Sequence, residues 1–309
     1  MDKVAELKDT DIPAILVPTV GIFLPLLAEK RGFIESTSRR TFKYGATDRH
    51  KLDVYYPEEP ASNGKNPVLF YLYGGGYAAG ARTLPEPSDL VYANIGAYFA
   101  HKGFITVIPD YRLLPEAKYP DPIVDSRDAV VWVTENPDSL SHGSITNADI
   151  NSFFIVGHSV GANNISTMFL LSLLPDNVQS RFRGAVLISG AFIGEVEAVG
   201  PTLNPEDMIA FFGSLEKAKD NTPLSQISQF SKDKIATLPP FFLVVAEKDP
   251  DPFLRATELF HDALSTLTGK EIPKLVGKGH NHISEVFAIS TGQGEEWAEE
   301  VYKWMQGLL

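Results

Sequence analysis

The 309-residue chain contains no cysteine, which excludes disulfides and thiolate metal sites. Basic residues are scarce: 27 Lys and Arg stand against 39 Asp and Glu, for a net charge of −12. A phosphate-binding surface needs the opposite sign, and no basic run is present, so nucleic acid is not expected as a partner. Repeats, low-complexity tracts and a Pro/Gly/Ser-rich linker are also missing. One large α/β domain over residues 1–309 is the expectation. Apolar residues make up 44% of the chain, enough for a sizeable core and too many for a disordered one.

Long hydrophobic runs are nearly absent. One stretch, residues 12–28 (IPAILVPTVGIFLPLLA), is uncharged and mostly apolar. It is short for a membrane span and is interrupted by Pro13, Pro18 and Pro25. The charges before it (Asp2, Lys3, Glu6, Lys8, Asp9, Asp11) are mixed in sign, unlike the basic start of a signal peptide, and no small-residue cleavage site follows. The expectation is a packed N-terminal segment of a soluble, cytoplasmic protein. The alternative is part of an apolar lid that touches a membrane.

What is present is an alternation of short apolar strands with helical stretches, the pattern of a mostly parallel sheet with helices on both faces. Strands are expected at 51–56, 68–73, 104–108, 153–157, 185–189, 241–246 and 273–276. Helices are expected at 90–101, 122–136, 162–173, 252–267 and 295–309. Crossovers of this length favour parallel neighbours. Residues 193–235 break the alternation: they hold helical pieces, 205–214 among them, and no obvious strand. With residues 1–40 they are expected to form a small cap, whose Phe211, Phe212 and Phe230 suit an apolar roof.

Gly157-His158-Ser159-Val160-Gly161 carries the chemistry. It follows a β-prone run and precedes a helix-compatible one, the setting of a nucleophile elbow. A tight strand-to-helix turn would push the Ser159 hydroxyl out above the sheet. A serine hydroxyl needs a base within reach and a third group to orient that base. In this architecture an acid and then a histidine follow the serine, each at the carboxyl end of a strand. The loop Glu247-Lys248-Asp249-Pro250-Asp251 offers three carboxylates, of which Asp249 is preferred because it directly follows the strand and Pro250 stiffens its turn. Asp251 is read instead as a cap of the helix that follows. The loop Gly279-His280-Asn281-His282 offers two histidines that point in opposite directions, and His282 is preferred.

Tyr73-Gly74-Gly75-Gly76-Tyr77 lies at the end of a strand. Successive glycines let backbone N–H groups converge on a small anion, so Gly75, Gly76 and Val160 are the expected oxyanion donors. A phosphate loop is disfavoured because the Gly-x-x-x-x-Gly-Lys pattern is missing. Tyr73, Tyr77 and His158 are candidate pocket residues. No cofactor is implied, and Gly-His-Asn-His is too weak a pattern to imply a metal.

Taken together, YGGGY at 73–77, DYRLLPEAKYP at 110–120 with Asp125, GHSVGA at 157–162, Asp249-Pro250 and His282 resemble the α/β-hydrolases of the hormone-sensitive-lipase-like carboxylesterase group, with the related arylformamidases. The likeness covers roughly residues 52–309. It implies the α/β-hydrolase fold with a helical cap, and a serine esterase that passes through an acyl-serine on a small or medium ester, with a Ser159–His282–Asp249 triad. It also favours His282, since the family's histidine is usually followed by a large apolar residue and Ile283 follows His282. There are two departures. Tyr73 stands where the family usually has a histidine that braces the loop, and Gly161-Ala162 replaces a pair of glycines. Arylformamidase, lactonase, biosynthetic acyl transfer and a non-hydrolytic reaction share the motif set. A small-molecule receptor on the same scaffold is the reading from another class, and an intact Ser, Asp and His argue against it.

Overall fold

The computed structural model describes all residues except 62, 194 and 197–199, and the backbone alone at Glu195 and Val196. Part of the cap expected at 193–235 therefore lies outside the described residues.

The chain opens with three helices, α1 (Asp2–Ala5), α2 (Ile12–Glu29) and α3 (Arg31–Ser36). Strands β1 (Arg39–Lys43), β2 (Lys51–Tyr55) and β3 (Asn66–Leu72) follow, then α4 (Ala93–His101), β4 (Ile105–Pro109) and α5 (Asp121–Glu135). Next come β5 (Ala148–His158), α6 (Val160–Leu170), α7 (Asp176–Gln179) and β6 (Phe182–Ile188). Two antiparallel strands of two residues each, β7 (Glu195–Val196) and β8 (Gly200–Pro201), lead to the short helices α8 (Pro205–Phe212), α9 (Leu215–Asp220) and α10 (Pro223–Gln229). The chain closes with β9 (Phe241–Lys248), α11 (Asp251–Thr268), β10 (Lys274–Asn281), α12 (Ser284–Phe287) and α13 (Glu296–Gln306).

Eight strands form one sheet in the order β1-β2-β4-β3-β5-β6-β9-β10. Pairing is antiparallel between β1, β2 and β4, and parallel from β4 across to β10. The expected α/β fold with its mostly parallel sheet is the fold observed. Alternate residues of β3 feed the two cores: Val68, Phe70 and Leu72 enter one apolar cluster, and Leu69, Tyr71 and Tyr73 enter the other. Burial on both faces explains why the central strands read as continuous apolar runs. Helix α11 buries Phe253, Ala256, Thr257, Phe260 and Leu264, a stripe of helical period against the sheet.

Two expectations needed correction. Strand β1 (RRTFK) was not foreseen, since an edge strand with four polar residues carries no apolar pattern. The prolines do not interrupt the N-terminal run. Pro13 lies in the first turn of α2, where a missing N–H is harmless, and Pro18 and Pro25 lie inside the helix. Their lost bonds would have reached the carbonyls of Ala14 and Gly21, both exposed residues, so no buried carbonyl is left without its helical partner. By length and composition, α2 is the one described helix apolar enough to cross a membrane. It buries Ile15, Thr19, Phe23 and Leu27 against the body of the protein.

Topology sets the location of the site. The chain leaves β3 for β4 on one side, then crosses back to β5 on the other. Parallel strands put their carboxyl ends on one edge, and such a switch point opens a crevice there.

Candidate active site

Ser159 sits between β5 and α6 with φ 55° and ψ −125°, a conformation rare for a residue with a side chain. Its N–H donates to the Ile188 carbonyl at 2.8 Å, which pins the turn to β6. Close packing makes the turn possible: a Cβ on Gly161 would lie 2.2 Å from the Leu72 carbonyl oxygen. As the first residue of α6, Val160 keeps a free N–H, because no helical carbonyl precedes it.

His282 lies in the turn between β10 and α12, and its Nδ1 meets Asp249 Oδ1 at 2.7 Å. Both side chains are buried. Asp249 follows β9 directly, and its Oδ2 accepts the Ala246 N–H at 3.0 Å. The histidine is held from several sides. His158 Nε2–H donates to the His282 carbonyl at 2.8 Å, and the Phe253 ring packs 4.5 Å from the imidazole. Asn281 Oδ1 accepts the N–H groups of Ile283 (3.1 Å) and Ser284 (2.9 Å), and Asn281 Nδ2 donates to Thr19 Oγ1 of α2 at 2.9 Å. Burial pushes the His158 pKa well below the usual 6.5, with the neighbouring His282 acting in the same direction, so His158 stays neutral. His280 faces away. Its ring nitrogens meet Ser284 Oγ at 3.1 Å and the Gly294 carbonyl at 2.7 Å. Of the two histidines, the geometry brings His282 to Asp249 and to the cavity.

The glycine loop follows β3. Gly75 has φ +125°, and a Cβ there would lie 2.2 Å from the Ala79 carbonyl oxygen, so only glycine fits. The Gly75 carbonyl accepts from Ala78 and Ala79, while the Gly75 and Gly76 amides have no partner among the described residues. Gly75, Gly76, Ser159, His158 and His282 all line one cavity of about 1030 Å³. Residues 10–14 and 16 and residues 201–204 also line it, so both segments expected to form a cap border it. No hydrogen bond closes between Ser159 Oγ and His282 in this state; such contacts commonly tighten only around substrate.

A profile of the alpha/beta hydrolase fold matches residues 69–284. The chain belongs to the alpha/beta hydrolase fold family. Among curated relatives of this hydrolase-fold chain, a putative alpha/beta hydrolase of Acanthamoeba polyphaga mimivirus is 28% identical over 193 residues, 59% of this chain and 51% of that one. Carboxylesterase NlhH of Mycobacterium tuberculosis is 29% identical over 221 residues, 68% of this chain and 64% of that one. The chain thus spans about half the length of the curated relatives it matches, 51%, 28% and 58% for the first three. Among solved structures, an esterase of Pyrobaculum calidifontis superposes with a TM-score of 0.69 at 22% identity, covering 99% of this chain and 96% of that one. A carboxyl esterase of Tuber melanosporum gives 0.67 at 20% identity, covering 88% and 86%. At these identities the superpositions establish the fold.

Two candidate pocket residues of this hydrolase-fold chain lie elsewhere. Tyr73 is fully buried and does not line the large cavity. Its hydroxyl donates to Asp110 Oδ1 at 2.8 Å and accepts from Arg49 at 3.0 Å, and its ring stacks on Tyr111 and Tyr92 beneath the glycine loop. Burial, helped by the Asp110 charge, raises its pKa well above the usual phenol range, so the hydroxyl stays protonated. Tyr77 stacks on Phe211 and lines a separate pocket of about 10 Å³, room for one water. Asp251 is the first residue of α11, whose cap position is Pro250, and it makes no capping bond. The Arg112–Asp125 pair, joined at 2.9 and 2.8 Å, ties the DYRLLPE loop to α5. Sequence reasoning missed Ser189 and Glu285, both buried beside Asp249. Ser189 directly follows β6 at the functional edge, and that position was the available signal. Among the described residues no group of His, Cys, Asp and Glu gathers as a metal site would.

Proposed function

We propose that the protein is a carboxylesterase-type serine hydrolase that works through an acyl-serine. The observation that carries this reading is the 2.7 Å contact between His282 Nδ1 and Asp249, at a cavity that also holds Ser159 and the unpaired amides of Gly75 and Gly76. With Nδ1–H held by the carboxylate, His282 Nε2 is the free base. It takes the proton of Ser159 as Oγ attacks the substrate carbonyl. The developing oxyanion is met by the N–H groups of Gly75, Gly76 and Val160, fixed before the reaction begins. His282 then protonates the leaving alcohol, and water attacks the acyl-serine with His282 again as base.

Composition of the wall supports the substrate class. Ile12, Leu16, Leu84, Phe253, Val286 and Phe287 make it largely apolar, and its charged members are Asp11 and Asp251. An uncharged ester with an apolar acyl chain suits it better than a carboxylate-bearing one. Residues 1–40 and 193–235 act here as the cap that selects substrate. The test is turnover of p-nitrophenyl acetate and butyrate, with fluorophosphonate labelling. Ser159→Ala abolishes both; full activity in that variant would refute the mechanism.

A further inference from the structure

Ser189 stands between two buried carboxyl groups. Its Oγ contacts Asp249 Oδ2 on one side and lies 2.7 Å from Glu285 Oε2 on the other. A hydroxyl has one proton, so it donates to one carboxylate only. The second contact, oxygen to oxygen, needs a proton on one of the acids. Asp249 is the poor candidate to carry it, because His282 Nδ1 and the Ala246 N–H already donate to its two oxygens. Glu285 has no other partner: it is fully buried, Oε1 is unpaired, and Ser189 is its one hydrogen bond among the described residues.

Resting on the esterase reading above, we propose that Glu285 is a neutral positioning residue. Its Oε2–H donates to Ser189 Oγ, and the Ser189 O–H donates to Asp249 Oδ2. Asp249 thereby keeps a third donor and one orientation towards His282. The same acid, if ionised, would set two carboxylates around one hydroxyl with no cation to separate them. The titratable groups around it are Asp249 after β9, Tyr71 on β3 and His280 on β10, with His282, in the turn that follows, bound to Asp249; none is a Lys or Arg. Burial, and next to it the Asp249 charge, raise the Glu285 pKa well above the usual carboxylate range. Glu285 does not line the cavity, so its effect on turnover passes through Asp249.

Glu285→Gln preserves a neutral donor of the same shape, and Glu285→Leu removes it. The Gln variant is expected to keep kcat within about threefold of the parent. The Leu variant should lose about tenfold or more in kcat with KM within about twofold, the loss of one oriented hydrogen bond. In the Gln variant the acidic limb of the kcat/KM profile stays in place, because no charge has been removed near His282. Infrared spectra at neutral pH should show the C=O stretch of a protonated carboxylic acid in the parent and lack it in Glu285→Gln. A downward shift of the acidic limb by about one unit in the Gln variant, the signature of a lost negative charge, would overturn the proposal. So would absence of the infrared band from the parent. If Glu285→Leu does not fold, the Gln profile and the infrared band decide. If the parent turns over no ester, the esterase reading fails on its own, and the infrared comparison still decides the state of Glu285.

Discussion

Tyr73→Phe deletes one oxygen atom from the floor of the glycine loop. The ring stacking on Tyr111 and Tyr92 survives, as does the contact beneath Gly80, where a Cβ would meet the Tyr73 ring at 2.8 Å. What is lost is a donor to Asp110 and an acceptor for Arg49. Hydrogen bonds to charged groups contribute roughly 1.5–3 kcal/mol each. The loss is partly offset, because Asp110 keeps the backbone N–H and guanidinium of Arg82, and Arg49 keeps the carbonyls of Tyr111 and Gly80. A net destabilisation of about 2 kcal/mol follows. At about 2.1 cal/mol/K per residue, the 309-residue chain has an unfolding entropy of about 0.65 kcal/mol/K, so Tm should fall by about 3 °C. Removing an oxyanion donor outright costs about 10²–10³ in rate. Loosening the support of two donors should cost less, about tenfold in kcat/KM, with the fall in kcat. Calorimetry and ester kinetics on the purified variant measure both numbers. A Tm within about 1 °C and kcat/KM within about twofold of the parent would show that the hydroxyl does not brace the loop.

The two neighbouring histidines should separate cleanly. His282→Ala is expected to lower kcat by about 10⁴ or more while the protein stays folded, whereas His280→Ala should lower Tm and leave turnover in the folded fraction; the reverse pattern in kinetics and melting would overturn the assignment. His158 predicts a pH effect. The folded protein holds it neutral with a depressed pKa, while the unfolded chain protonates it near 6.5. Its stabilising contribution is therefore full above about pH 6.5 and is lost as pH falls below that value. His158→Gln removes this slope, so the Tm gap between parent and variant should narrow from about pH 7 to about pH 5; a constant gap would argue against a neutral His158.

The residues legible in the sequence are those whose backbone setting dictates their type. The strained turn at Ser159 and the positive φ at Gly75 admit few alternatives, and the apolar runs around them reveal strands buried on both faces. Strand β1 escaped because an exposed edge makes no such demand. The helix α2 was misread for a related reason. A proline rule assumes that a lost N–H leaves a buried carbonyl unpaired, whereas the carbonyls here belong to exposed residues on the solvent side. Ser189 and Glu285 escaped for a different reason again. Ser189 lies 60 residues before Asp249, and Glu285 follows it only after α11 and β10. Only folding brings β6, β9 and α12 to one edge, and neither residue type is unusual where it stands. What makes them informative is a count of protons among three side chains, which no spacing rule encodes. The tyrosine at position 73 lies between these cases. Its place at the end of β3 was readable, but its direction was not, because one residue further along a strand reverses the face. Tyr73 shares the face of Leu69 and Tyr71 and so faces the core, where its hydroxyl braces the loop from below instead of meeting the substrate.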